Sequence, residues 1–143
     1  MRIFDNLYSK IESNIDKKET GGITSIVPPF PRLAKKYPGW VKGTYSIITA
    51  SSGIGKTKIA KFFAVTSVYD FAKNNPNIKI KVFYFALEES RETFWLSMIS
   101  SLLYTKYNIY LSPQHLLSLG DFTLDRNTLE KIESVKHEVN DME

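Results

Sequence analysis

The stretch SIITASSGIGKTKIAKFF, residues 46–63, decides the fold that the sequence predicts. An apolar, β-branched run at residues 45–49 predicts a buried strand, and it ends in a loop rich in serine and glycine. Gly-Lys-Thr closes that loop and opens a segment with apolar residues at helical spacing, which NNPN at 74–77 ends. The stretch therefore predicts a strand, a tight loop and a helix in succession.

A second apolar run, IKIKVFYFAL at residues 78–87, follows that helix. It begins with alternating polar and apolar residues and becomes continuously apolar, which is typical of a strand entering a sheet that is covered on both faces. Two such strands around one helix form a β-α-β unit with parallel strands and a right-handed crossover. The predicted fold class is therefore α/β.

The remaining segments predict helices and one irregular connection. Residues 2 to about 16 carry an apolar helical stripe, and Gly21 and Gly22 end that helix. Residues 27–43 hold four prolines and predict an extended connection. Three later helices are expected, with caps at Ser90, Ser112 and Asp125. The first of them is expected to bury Phe94, Trp95, Met98, Ile99, Leu102 and Leu103, and the last to bury Leu129, Ile132, Val135, Val139 and Met142.

The composition limits the class of protein. A chain of 143 residues with 43% hydrophobic content is long enough for one core. The absence of cysteine excludes disulfides, cysteine-ligated zinc and iron–sulfur clusters. The N-terminus is too charged for a secretory signal and no apolar run reaches membrane-spanning length, so we expect a soluble cytoplasmic protein without a membrane partner. The net charge of +4 suits a polyanionic partner, although a charge of this size is more often a solvated surface.

The loop ASSGIGKT, residues 50–57, fits the phosphate-binding loop pattern with alanine in place of the first glycine. Backbone amides converge on a phosphate only where side chains are out of the way, and Gly53 and Gly55 clear that space. Lys56 would reach the β- and γ-phosphates, and the Thr57 hydroxyl would ligate Mg²⁺. The alternative is a Ser/Gly turn that merely caps a helix. The predicted cofactors are ATP and Mg²⁺, and the predicted binding residues are Ser51, Ser52, Gly53, Ile54, Gly55, Lys56 and Thr57.

Glu88 follows the second predicted strand, in the sequence FYFALEESRETF at 83–94. The carboxyl end of a strand in an open parallel sheet faces the ligand crevice, so Glu88 is expected near the γ-phosphate. It would orient the attacking water or accept its proton, or it would hold Mg²⁺ through water. The alternative is that Glu88 and Glu89 simply favour the start of the next helix.

Together these motifs resemble the RecA-like motor domain of hexameric replicative helicases, the class of the DnaB proteins and the T7 phage primase-helicase. Residues 21–57 are similar to the start of that domain, with Phe30, Leu33, Gly39 and Gly43 at the matching places. FALEES at 85–90 is similar to the SLEMS of DnaB proteins and closer to the LEES of the T7 type. LLSLGDFTLDRNTLEKI at 116–132 matches the family's leucine-glycine turn before a helix.

The resemblance implies a fold and a function. Residues 1–20 would form a linker-like helix and residues 21–143 the N-terminal part of a RecA-like P-loop ATPase core. Glu88 and Lys56 would be catalytic. The complete protein would be a homo-oligomeric, hexameric helicase that hydrolyses ATP to move along single-stranded DNA. Most of the DNA contacts would lie in regions outside this chain. The protein would be located in a bacterial cytoplasm or, if it is a phage protein, in the cytoplasm of the host.

The sequence departs from the family in two places. Ala34 stands where the family usually has aspartate. The sequence ends at Glu143, before the expected strand with the Mg²⁺-ordering aspartate, so we expect the segment alone to be inactive. Two alternatives stay open: another RecA-like protein that binds DNA in a nucleotide-dependent way, for example in recombination, or a truncated, non-catalytic nucleotide-binding module.

Overall fold

A computed structural model describes residues 3–143, and the chain divides into two compact units, Met1–Val82 and Phe83–Glu143. The helices of the first unit are α1 (Ile3–Glu19), α2 (Pro31–Ala34), α3 (Lys56–Lys61) and α4 (Ser67–Asn74), and a π-helical turn, Phe62–Thr66, joins the last two. The helices of the second unit are α5 (Arg91–Tyr107), α6 (Pro113–Leu116), α7 (Arg126–Ser134) and α8 (Lys136–Met142).

The predicted N-terminal helix is present as α1, and it ends at Glu19, just before the two glycines that were predicted to end it. Gly21 adopts φ +73°, its amide donates to Lys18 O, and the Gly22 amide donates to Lys17 O. This is a Schellman motif, which needs a residue in the left-handed region that glycine occupies without strain. No described residue of α1 is buried, so its apolar stripe lies at the surface. Residue 2, where the predicted helix began, lies outside the described residues.

The prediction of an α/β, RecA-like core with parallel strands is wrong for this structure. Within residues 3–143 the β structure consists of one isolated antiparallel bridge, between Ile26 and Trp40, and neither residues 45–49 nor 78–87 form a strand. The side chains of the first run lie in solvent, with Tyr45 89% and Ile47 70% exposed. In the second run Phe83, Phe85 and Leu87 are exposed, Leu87 at 97%, whereas Ile78, Ile80 and Tyr84 are half-buried.

The prediction failed because apolar, β-branched residues fit well on a pleated, half-buried surface, but their presence alone does not form one. A parallel strand gains its stability from a ladder with a distant segment and from helices that cover both faces. Neither run has such a partner among the described residues, so both stay outside regular structure.

The core of the first unit lies on the helix that follows the loop. Phe63, Val65 and Val68 are buried there. The proline-rich connection packs three rings against Phe63: Phe30 at 6.1 Å, Tyr37 at 6.2 Å and Trp40 at 5.1 Å between ring centroids. The irregular connection is therefore fixed on the π-helical turn by aromatic packing.

The second unit packs α5 against the three shorter helices. Leu102, Leu103 and Val135 form its buried cluster. Lys106 Nζ lies 2.8 Å from Glu138 Oε1, which joins α5 to α8. The three predicted caps are confirmed, because the side chains of Ser90, Ser112 and Asp125 accept hydrogen bonds from the amides of Thr93, His115 and Thr128.

The predicted inward faces of the second unit are partly right. Phe94, Met98, Leu102 and Leu103 are buried, whereas Trp95 and Ile99 are half-buried. The last helix is broken at Val135, where α7 ends and α8 begins. Leu129 is 55% exposed, so its prediction as an inward residue is wrong.

Candidate phosphate-binding loop

The backbone of residues 50–57 turns through two left-handed glycines. Gly53 adopts φ +79° and Gly55 adopts φ +95°, and Gly55 is the N-cap residue of α3. A β-carbon built on either glycine would meet no atom within 4 Å, so the backbone conformation, rather than crowding, requires glycine here. The local fold of the loop thus follows from the two glycines that the sequence analysis selected.

Lys56 closes the loop on itself. Its Nζ donates hydrogen bonds of 2.8 Å to the carbonyl oxygen of Ala50 and of 2.8 Å to that of Ser51. The ammonium group therefore bridges the first residues of the loop although it belongs to the first turn of α3. This arrangement places a positive charge beside the carbonyl groups at the start of the loop.

The end of the loop presents backbone amides. Within residues 3–143, the amides of Gly53, Gly55, Lys56 and Thr57 donate to no backbone carbonyl. Such donors are expected at the first turn of a helix, where they carry the positive end of its dipole. The helix runs on without interruption through the π-helical turn and α4 to Asn74. Amides without a backbone acceptor, two glycines and a lysine are the groups that phosphate-binding loops use.

The other predicted binding residues lie in the same loop and are accessible. Ser51, Ser52, Gly53, Ile54 and Thr57 are exposed, whereas Gly55 and Lys56 are half-buried. Thr57 stands in the first turn of α3, next to Lys56. Its hydroxyl is the one candidate metal ligand that the motif names, and magnesium accepts one or two protein oxygens together with phosphate oxygens and water.

Glu88 belongs to the second unit, whereas the loop belongs to the first. The residue is exposed and lies two positions before Ser90, the N-cap residue of α5. Its neighbour Glu89 is half-buried. The pKa of the Tyr84 phenol is raised above its ordinary value. Burial is the larger cause, and the negative charge of Glu89 is the smaller one.

Two residues outside the motif, which were not predicted from the sequence, form hydrogen bonds on either side of the loop. The Tyr37 hydroxyl and the Ser46 hydroxyl form a hydrogen bond of 2.7 Å, four residues before the loop begins. The Trp40 indole N–H donates to the Phe63 carbonyl oxygen at 3.1 Å, in the helix that follows the loop. The signal in the sequence was a run of aromatic residues in a proline-rich connection.

Comparison of the chain with known protein families, with curated proteins and with solved structures found no match. Among the described residues, no helix has both the length and the apolar character needed to cross a bilayer. In residues 3–143 there is also no group of three or more histidine, aspartate or glutamate side chains placed to hold a metal ion.

Proposed function

We propose that the chain binds ATP with Mg²⁺ through residues 50–57 and that it is the ATP-binding segment of a DNA motor protein. The observation that carries this proposal is the pair of hydrogen bonds from Lys56 Nζ to the carbonyl oxygens of Ala50 and Ser51. They hold an ammonium group at the start of a glycine loop whose later amides donate to no backbone carbonyl and would be available to an anion.

The chemistry of binding follows from an exchange of partners. In the free loop Lys56 donates to two neutral carbonyl oxygens. In the complex it would donate to the charged β- and γ-phosphate oxygens, so that both partners of each hydrogen bond would be ionised and Coulombic attraction would strengthen it. The amides of Gly53 and Gly55 would bind the β-phosphate, and the Thr57 hydroxyl would complete the shell of the magnesium ion.

The motor half of the proposal is supported by the sequence resemblance. Glu88 would orient the attacking water, and the energy of hydrolysis would drive movement along single-stranded DNA within a homo-oligomeric ring. A non-catalytic nucleotide-binding module is the second candidate. It is favoured by the lack, in residues 3–143, of paired strands that would carry Glu88 to the loop.

The two halves are tested by two substitutions with matched controls. Lys56→Ala should weaken Mg–ATP binding, measured by isothermal titration calorimetry, by roughly tenfold or more, because a hydrogen bond to a charged group is lost. The matched control is Lys58→Ala, which removes an exposed lysine two residues further along α3 and should bind as the parent chain does. Equal affinity of Lys56→Ala and the parent would contradict the binding proposal.

The second substitution is made in a protein that contains this chain and hydrolyses ATP. There Glu88→Gln should keep Mg–ATP binding and abolish phosphate release. Glu92→Gln, at another exposed glutamate, is the control and should release phosphate at the parent rate. Hydrolysis by Glu88→Gln at the parent rate would remove the catalytic assignment and leave the module as the better account.

A further inference from the structure

We infer that Trp40 is a positioning residue for the phosphate-binding loop, because its indole N–H holds the π-helical turn of the helix that carries Lys56. The inference rests on the function proposed above and adds a residue from outside the motif to the same site. It is carried by the hydrogen bonds around one carbonyl oxygen, that of Phe63.

The π-helical turn deprives the Phe63 carbonyl of its usual donor. The Ser67 amide donates to the Phe62 carbonyl, five residues back, and not to Phe63, four residues back. Two side chains take the place of the missing amide: the Trp40 indole N–H at 3.1 Å and the Ser67 hydroxyl at 2.6 Å. Because a buried carbonyl without a donor is costly, these two groups compensate for the missing amide. A serine hydroxyl also reaches the carbonyl four residues back in a regular α-helix, so the Trp40 bond is the one that favours the π-helical turn.

Trp40 can act as a fixed donor because it is itself held on both sides. Its backbone exchanges two hydrogen bonds with Ile26, of 2.9 Å and 3.0 Å. Its ring meets the Phe63 ring edge-on, at 77°. Gly39 allows this arrangement, since a β-carbon there would collide with the Ile26 carbonyl and the φ of +92° disfavours other residues.

The turn sets the orientation of the loop relative to the rest of the helix. If the helix returned to regular α geometry, the Ser67 amide would take the Phe63 carbonyl and Trp40 would lose its acceptor. That change of register by one residue rotates the segment before the turn by about 100° and moves it by about 1.5 Å relative to α4. Lys56 lies roughly 10 Å from Phe63 along the helix axis, so it would move with that segment.

The test compares two donors to the same carbonyl. Trp40→Phe keeps an aromatic ring against Phe63 and removes the N–H. Ser67→Ala removes the other hydrogen bond, which lies within the helix and does not tie the helix to the connection. Mg–ATP affinity is measured by calorimetry at a temperature where circular dichroism shows every variant fully folded. We expect Trp40→Phe to bind about fivefold more weakly and Ser67→Ala to bind within about twofold of the parent.

The outcomes separate this inference from the function on which it rests. No binding by the parent chain overturns both. Binding by the parent that Lys56→Ala abolishes and Trp40→Phe leaves unchanged overturns the role of Trp40 alone, even if Trp40→Phe melts at a lower temperature. If Trp40→Phe does not fold, the inference is tested by the fluorescence of a Trp95→Phe chain, in which Trp40 is the one remaining tryptophan. Saturating Mg–ATP should change the emission of Trp40, and an unchanged spectrum overturns the inference.

Discussion

At the scale of the residue, two glycines and one lysine determine what the loop can do. Gly53 and Gly55 put the backbone in a conformation that side chains disfavour, and they leave open space where side chains would stand. Lys56 reaches back over six positions to Ala50. Under the proposed function, this preformed turn would reduce the ordering that anion binding has to supply.

Gly55→Ala should weaken Mg–ATP binding, because an alanine at φ +95° costs about 1–2 kcal/mol and the loop would relax to another shape. Gly43→Ala is the matched control, since Gly43 has φ +77° and the same open space but lies outside the loop. Both variants should melt at lower temperature than the parent, and Gly55→Ala alone should lose affinity in calorimetry. Parent-like affinity of Gly55→Ala would mean that the left-handed turn is irrelevant to binding.

At the scale of the element, the caps illustrate what a sequence determines locally. Ser90, Ser112 and Asp125 each start a helix by accepting a hydrogen bond from an amide three residues on. Donor and acceptor lie within one turn, so the signal is present in the sequence itself. The same is true of the Schellman motif at Gly21.

The charged cap should make stability depend on pH in a predictable direction. The backbone hydrogen bond from Thr128 lowers the pKa of the Asp125 carboxyl below its ordinary range. A lowered pKa in the folded state contributes stability that is present above the ordinary range and lost as the pH falls through the lowered value. Asp125→Ala should therefore melt at lower temperature than the parent near pH 7, and the difference should shrink towards about pH 2.

Ser90→Ala is the control for this titration, because the Ser90 hydroxyl caps α5 without a charge. Its difference in melting temperature from the parent should stay constant over the same range. A difference for Asp125→Ala that does not change with pH would show that the ionised carboxyl is not the cap.

At the scale of the whole molecule, the sequence was a poorer guide, because strands and cores depend on distant partners. Tyr45, Ile47 and Leu87 have the residue types of buried strands and lie exposed. The glycine loop between such a run and a helix could be predicted, whereas the sheet around it could not, since nothing local records whether a ladder forms. Trp40 was missed for the same reason: its acceptor, Phe63, lies 23 residues away.

Two leucines of the second unit test whether burial in the structure or helical spacing in the sequence better predicts the cost of a substitution. Leu103→Ala should lower the free energy of unfolding by roughly 2–5 kcal/mol, because Leu103 is fully buried and its removal leaves a cavity. Leu129→Ala, which the pattern placed inside and the structure leaves 55% exposed, should change it far less. Chemical denaturation followed by circular dichroism measures both, and equal losses would contradict the packing of α5 against α7 and α8.

Charge is divided between the two units in a way that favours an anion in the first. Residues 1–82 contain 14 Lys and Arg against 5 Asp and Glu, and residues 83–143 contain 5 against 10. The overall charge of +4 conceals this asymmetry. The loop therefore belongs to the half of the chain whose charge attracts a polyphosphate.

The measurement that tests the central claim most directly is a titration of the ¹⁵N-labelled chain with magnesium and a non-hydrolysable ATP analogue, followed by amide chemical shifts. We predict large, saturable shifts at Gly53, Gly55, Lys56 and Thr57, with Gly120 unchanged as an internal reference because it is a left-handed glycine outside the loop. Amides of the loop that do not respond at saturating analogue, or that respond no more than Gly120, would contradict the account.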